Sequence, residues 1–230
     1  MLRLENCLIE NGGFSLRANL TIARGSRVAV IGPSGAGKST LIETLAGFRP
    51  LTKGAIHWNG SDLAGVEPGK RPVALLFQDG NLFPHLTVAQ NVALGIHANL
   101  RLDQPQQAQM QAALVRVGLD SMADRKPADL SGGQQSRVAL ARVLVQGRDL
   151  LLLDEPFAAL GPALKVEMLD LVGELVEETG ATLLMVSHDP SDARRIANQV
   201  VLVADGCAHA PQPTTQLLDN PPPALKAYLG

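Results

Sequence analysis

Residues Gly32-Pro33-Ser34-Gly35-Ala36-Gly37-Lys38-Ser39 fill every fixed position of the pattern G-x-x-x-x-G-K-[ST], and no other stretch restricts the fold of this chain so strongly. The glycines allow a tight turn and a close approach of backbone N–H groups to anionic oxygens, and a helix starting at the loop's end presents the positive end of its dipole. Lys38 adds a full charge. At ~4 Å and an effective dielectric of about 20, that charge attracts a unit anion by about 4 kcal/mol, against ~0.3–1 kcal/mol for an exposed helix terminus, so Lys38 dominates. Ser39 offers a hydroxyl to a magnesium ion. This chemistry requires strand, loop and helix in that order. Arg27-Val28-Ala29-Val30-Ile31 reads as a buried parallel strand ahead of the loop. Leu41, Ile42 and Leu45 at helical spacing, stopped by Gly47, read as the helix behind it.

A second element complements the first. Leu150-Leu151-Leu152-Leu153 is a continuous apolar run, hence a fully buried strand, and it ends in Asp154-Glu155-Pro156. Beside a phosphate loop, Asp154 is placed to hold magnesium directly or through water, and Glu155 to orient and polarise an attacking water. A third element is Leu130-Ser131-Gly132-Gly133-Gln134. Ser131 with Gln134 three residues on forms a capping box, and Val138, Ala141, Leu144 and Val145 follow at helical spacing, so a helix starts here with free N–H groups. Ser131 and Gln134 alone indicate only a cap. Gly132 and Gly133 weaken a first helical turn while letting another backbone or a phosphate come close.

The phosphate loop, the pentapeptide Leu130 to Gln134 and the acidic strand end together resemble the ATP-binding subunit of ABC transporters, over essentially the whole chain. The resemblance implies an α/β fold. Its core is a P-loop NTPase (RecA-like) unit of about 1–86 and 147–230, with a helical subdomain inserted at about 87–146 and an N-terminal antiparallel β portion. It implies ATP and Mg2+ as cofactors, with Gly32 through Thr40 on the nucleotide. It also implies a homodimer in which Ser131, Gly132, Gly133 and Gln134 of one copy close over ATP held by the other. Gln78, after Val73-Ala74-Leu75-Leu76-Phe77, resembles the glutamine that touches magnesium and the attacking water. His188, ending Thr182-Leu183-Leu184-Met185-Val186-Ser187-His188, resembles the switch histidine on the γ-phosphate, acting with Lys38 and Glu155 in hydrolysis.

Further expectations concern partners. Asn81-Leu82-Phe83-Pro84-His85-Leu86-Thr87-Val88 puts apolar side chains in a loop, where the family receives a short helix of its membrane subunit; Phe83 serves either that contact or the gap between lobes. The string from Gln78 through Asn91, with Gly47-Phe48, resembles importers of small solutes that pair with two membrane permease subunits and a periplasmic solute-binding protein. Arg71-Pro72-Val73, Pro162-Ala163-Leu164, Leu183 to His188 and the short tail resemble the ATPases of thiamine importers most. Other importers (iron, polyamine, anion), complexes for lipoprotein release, export or division, and a non-hydrolysing ATP-dependent module remain alternatives. Two departures stand out. Asn11 occupies the place of an aromatic that stacks on adenine, leaving Phe14 as a nearby substitute, and Gly161 replaces an Asp that contacts the other copy, which implies weaker coupling of the two sites.

Composition agrees with these readings. In 230 residues, 46% hydrophobic and 18% charged, a sizeable core forms as one domain of two lobes. No apolar run approaches the ~18–20 residues of a membrane span and no signal pattern opens the chain, so it is expected to stay in the cytoplasm, and the resemblance implies a peripheral subunit at the cytoplasmic face of the inner membrane. Cys7 and Cys207 lack metal or redox spacing, and a net charge of −2 argues against nucleic acid. Pro162 is expected to start a helix whose Leu164, Met168, Leu171, Val172 and Leu175 make a core stripe.

Overall fold

The computed structural model describes residues 1–77 and 80–229, excepting the side chains of Asn11 and of residues 227–229. The expectations for Gln78 and for the Asn11 side chain therefore lie outside the described residues.

In chain order the elements begin with β1 (Leu2–Asn11), β2 (Phe14–Ile22), β3 (Arg27–Ile31), α1 (Lys38–Ala46), β4 (Lys53–Trp58), β5 (Ser61–Asp62) and β6 (Val73–Leu76). Helices follow as α2 (Val88–Ala93), α3 (Gln104–Arg116) and α4 (Gly132–Leu144). The chain then returns through β7 (Leu150–Asp154), α5 (Pro162–Thr179), β8 (Thr182–Val186), α6 (Pro190–Ile196) and β9 (Gln199–Ala204). It ends with β10 (Cys207–Ala208), β11 (Gln212–Pro213), α7 (Thr214–Asp219) and α8 (Pro223–Leu229).

The strands form a single curled sheet ordered β5-β4-β1-β2-β10-β9-β3-β8-β7-β6, with β11 also paired to β9. Its two halves differ in sequence pattern for a physical reason. On β2 every second residue from Leu16 to Ile22 is buried, because an antiparallel strand covers its core with one face only. The parallel strands β3, β7, β8 and β9 are buried along nearly their whole length, matching their unbroken apolar runs. Leu150, Leu152 and Leu153 are 0% exposed, each worth about 1.5–3 kcal/mol relative to exposure. The short β10 joins the halves, parallel to β2 and antiparallel to β9.

Helices α2, α3 and α4 gather their own core around Val88, Val92, Leu114, Leu119, Val138 and Ala141. Another face of α4, carrying Ala139, Leu140 and Val143, packs with Ala74 and Leu76 of β6. One helix thus belongs to two cores. Between them lies Leu82, packed against both, so the gap between lobes is filled by Leu82 while Phe83 stays 46% exposed. The loop holding Phe83 is fastened on two sides. Asn91, fully buried on α2, accepts from the Phe83 N–H and donates to the carbonyls of Phe83, Leu86 and Thr87. From the last turn of α4, Arg142 donates to the carbonyls of Gly80 and Asn81 at 2.6 and 2.8 Å, and its guanidinium lies 5.9 Å from the Phe83 ring centre.

Arg71 is 8% exposed and gives all its described bonds to backbone carbonyls: Thr44 and Leu45 at the end of α1, and Leu63 and Val66 in the segment after β5. A cation there complements the negative end of the helix dipole, satisfies the Leu45 carbonyl and adds a second donor to that of Thr44, which also accepts from the Gly47 N–H. It anchors the helix that follows the phosphate loop. Arg71→Ala is expected to lower unfolding free energy by about 2–4 kcal/mol, since the Leu45 and Val66 carbonyls lose their donor and those of Thr44 and Leu63 lose one of two. Arg71→Lys, with one point charge in place of a fork, recovers less than half of that in urea unfolding.

Candidate nucleotide site

Register decides where the polar residues converge. Val30 of β3 pairs with Val186 of β8, and Val186 with Asp154 of β7, while Leu76 of β6 pairs with Leu153. The four parallel strands therefore end at one level, and the segments leaving them share an edge of the sheet, the usual location of ligands in such sheets. From β3 leaves the phosphate loop, from β7 Asp154-Glu155 and from β8 Ser187-His188.

The loop is seated tightly at its start and open at its crown. A Cβ on Gly32 would lie 2.0 Å from the carbonyl oxygen of Val203, so the loop leaves β3 pressed against the backbone of β9 and only glycine fits. At Gly35 nothing lies within 4 Å of the added atom. Lys38 opens α1 and is only 4% exposed, with its ammonium donating at 2.9 Å to the carbonyls of Gly32 and of Pro33. Burial lowers its pKa, opposed by the charges of Glu155 and Asp154. Ser39 donates at 3.1 Å to Oδ1 of Asp154, whose own pKa is raised, first by burial and despite that hydrogen bond.

Glu155 stands in a left-handed backbone conformation, φ 48°, which costs a non-glycine residue of order 1–3 kcal/mol and survives only where surrounding structure enforces it. Its N–H donates to the carbonyl of Val186, 3.2 Å away on β8. The twist turns its carboxylate toward the neighbouring strand's exit, where Oε1 pairs with Nε2 of His188. Both border a cavity of about 270 Å³ lined also by Phe14, Ser34, Gly35, Gly37, Lys38, Ser39 and Thr40. Phe14 reaches this cavity because β2 delivers it beneath the loop, its ring so close that a Cβ on Gly37 would lie 2.5 Å from Cζ.

The pentapeptide sits elsewhere. Ser131 caps α4 and Gln134 returns the bond to its N–H, the expected capping box. None of the described residues lining the phosphate-loop cavity comes from it. The structure separates its two glycines. A Cβ on Gly133 would come 2.1 Å from Cδ2 of Leu164, so Gly133 makes room for the chain's own α5, whereas Gly132 faces open space and keeps its backbone accessible. Gly161 caps α5 without a side-chain bond and also has nothing within 4 Å of an added Cβ.

Sequence reasoning missed the residues behind His188. Ser187, Asp189 and Asp192 join Lys165 of α5 in one hydrogen-bonded cluster. Asp189-Pro190 is legible as a cap followed by proline at the first helical position, but the reach of Lys165 across elements has no local signal.

Comparison with known proteins agrees with this geometry. Residues 16–158 match the family described as ABC transporter. The chain is 64% identical over 230 residues to the thiamine import ATP-binding protein ThiQ of Ruegeria sp. (strain TM1040), covering 100% of both sequences. It is 50% identical over 206 residues to the protein of the same name from Escherichia coli (strain K12), spanning 90% of this chain and 89% of that one. Among solved structures it resembles, with TM-score 0.81 and 29% identity, a dimeric post-hydrolysis state of the ATP-binding cassette MJ0796 bound to ADP and Pi, over 93% of this chain and 99% of that one. A phosphate loop, an acidic strand end and a paired histidine on one sheet edge, together with full-length relatives, place this chain in the ABC transporter family of ATP-binding proteins.

Proposed function

We propose that the chain is the ATP-hydrolysing subunit of a thiamine importer, peripheral to the cytoplasmic face of the membrane. Two copies sit on two permease subunits supplied by a periplasmic solute-binding protein. The observation that carries hydrolysis is the convergence of Lys38, Glu155 and His188 on one cavity beneath the phosphate loop. Thiamine rests on the names of the relatives, and pairing of two copies is supported by the dimeric state of the structural neighbour. Among the described residues no helix is long and apolar enough to cross a membrane.

In this mechanism the backbone N–H groups of the Gly32–Thr40 loop, Pro33 excepted, and the Lys38 ammonium hold the phosphates of ATP, and Phe14 lines the same cavity. Ser131, Gly132 and Gln134 of the second copy approach the same phosphates with the N-terminus of α4, while Gly133 keeps that helix seated on α5. Glu155 orients the attacking water and takes up its proton, and His188, held by Glu155, steadies the charge growing on the γ-phosphate. A hydroxyl and a carboxylate 3.1 Å apart at the loop suit a hard cation, so Ser39 and Asp154, with Gln78, are the residues that would hold magnesium. A divalent cation held there would supply positive charge against the phosphates of ATP. The helices at about 87–146 act as a subdomain on the core of about 1–86 and 147–230, carrying the α4 N-terminus toward the other copy.

Glu155→Gln is expected to cut phosphate release at least about 100-fold while ATP affinity changes less than about threefold, read by steady-state turnover and nucleotide titration. Full residual turnover would remove Glu155 from this role. Asp154 behaves oppositely in stability and activity. Because burial raises its pKa, its ionised form opposes folding at neutral pH, and the protein gains stability as pH falls through the folded pKa. Asp154→Asn should therefore raise the melting temperature at pH 7 in magnesium-free buffer and flatten that acid-side gain, yet abolish turnover. For the solute, the chain copurified with its permease and binding protein in proteoliposomes should hydrolyse ATP several-fold faster with thiamine than without, and stimulation by a different solute alone would reassign the cargo.

A further inference from the structure

We infer that Lys165 is a positioning residue for hydrolysis, holding the segment that carries His188 in register with the helix that begins at Gly161. The inference rests on the roles proposed above for Glu155 and His188. Lys165 lies in the first turn of α5, its N–H donating to the carbonyl of Gly161 at 2.9 Å. Its ammonium reaches Oδ2 of Asp189 at 2.9 Å and Oδ1 of Asp192 at 2.7 Å. These two acids secure both chain neighbours of His188. Asp189 follows it directly, and its N–H donates to Oγ of Ser187 at 3.0 Å. Ser187 precedes it and donates to Oδ2 of Asp192 at 2.5 Å. A single cation thus closes a ring around the histidine's backbone.

Packing alone does not do this work. Behind the Glu155–His188 pair lies a second cavity of about 170 Å³, bordered by Glu155, Lys165, Ser187, His188 and Asp192. Close contact is incomplete around this space, so directed bonds add to the hold of the β8 end, where the Ser187 N–H donates to the Val30 carbonyl, in setting the position of His188. Three carboxylates around this space, those of Glu155, Asp189 and Asp192, also make it unsuited to a phosphate anion. Asp192 is 6% exposed, and the cation its buried carboxylate meets is Lys165. The Asp189 carboxyl is held at about 2, first by the Ser191 hydroxyl and then by Lys165, so this link persists at every pH at which the enzyme works. The loop from Glu155 to Gly161 offers no side chain at Gly161 to brace it. Lys165 therefore ties the end of that loop to His188, and Glu155 begins the same loop.

The test uses the full chain and steady-state phosphate release. Lys165→Met should lower kcat about tenfold with KM for ATP within about twofold, since a displaced group slows chemistry more than binding, and Lys165→Arg should restore most of kcat. Should the unpaired Asp192 unfold Lys165→Met, the charge-balanced Lys165→Met/Asp192→Asn pair carries the same expectation. Asp189→Asn keeps the cap of α6, because Asn caps as well as Asp, and is expected to lower kcat about threefold, with a small fall in melting temperature because the ionic bond to Lys165 is lost while the fold is kept. Unchanged kcat in folded Lys165→Met or in Asp189→Asn, or full activity in the double variant, overturns the inference. Parallel Glu155→Gln and His188→Ala variants separate the outcomes, because their failure to lose activity would refute the underlying roles instead.

Discussion

Everything at the nucleotide edge depends on parallel strands ending in register. A polyphosphate has to be met by several groups at once, and they come from segments far apart in the chain: residues 32–40, 154–155 and 188. Only the ladder that pairs Val30 with Val186 and Val186 with Asp154 makes them neighbours. The buried runs of β3, β7, β8 and β9 hold that ladder, since slipping one strand by a residue would carry apolar side chains into the wrong layer and displace Glu155 from His188.

The site keeps features that oppose stability. Lys38 and Asp154 are both desolvated charges, and Glu155 occupies a backbone conformation that most residues avoid. Each alone is unfavourable, and they persist together because the sheet beneath them is so completely buried. The strain at Glu155 has an identifiable consequence, since the left-handed turn is what redirects its carboxylate off the strand axis and toward the exit of β8.

Much of this was legible in residues because local chemistry demanded it. The order of strand, loop and helix around Gly32 to Ser39, the capping box at Ser131, the start of α5 at Pro162 and its stripe through Met168, Val172 and Leu175 all follow from patterns within a dozen residues. Less legible were choices made between distant elements. That Leu82 and not Phe83 fills the seam, that Gly133 yields to Leu164, that Arg71 anchors α1, and that Lys165 supports the His188 segment depend on which side chains meet after folding. A glycine pair or a lone arginine carries no mark of its eventual neighbour.

Helix α4 has a mechanical consequence. With 13 residues it spans about 20 Å, and it is gripped at both ends: Ser131 begins it, while Arg142 in its final turn clasps the carbonyls of Gly80 and Asn81. A rod of that length, wedged into two cores, cannot bend to absorb movement. Any tilt imposed on the Phe83 loop must reappear, with a lever's arm, as displacement of the backbone at Gly132.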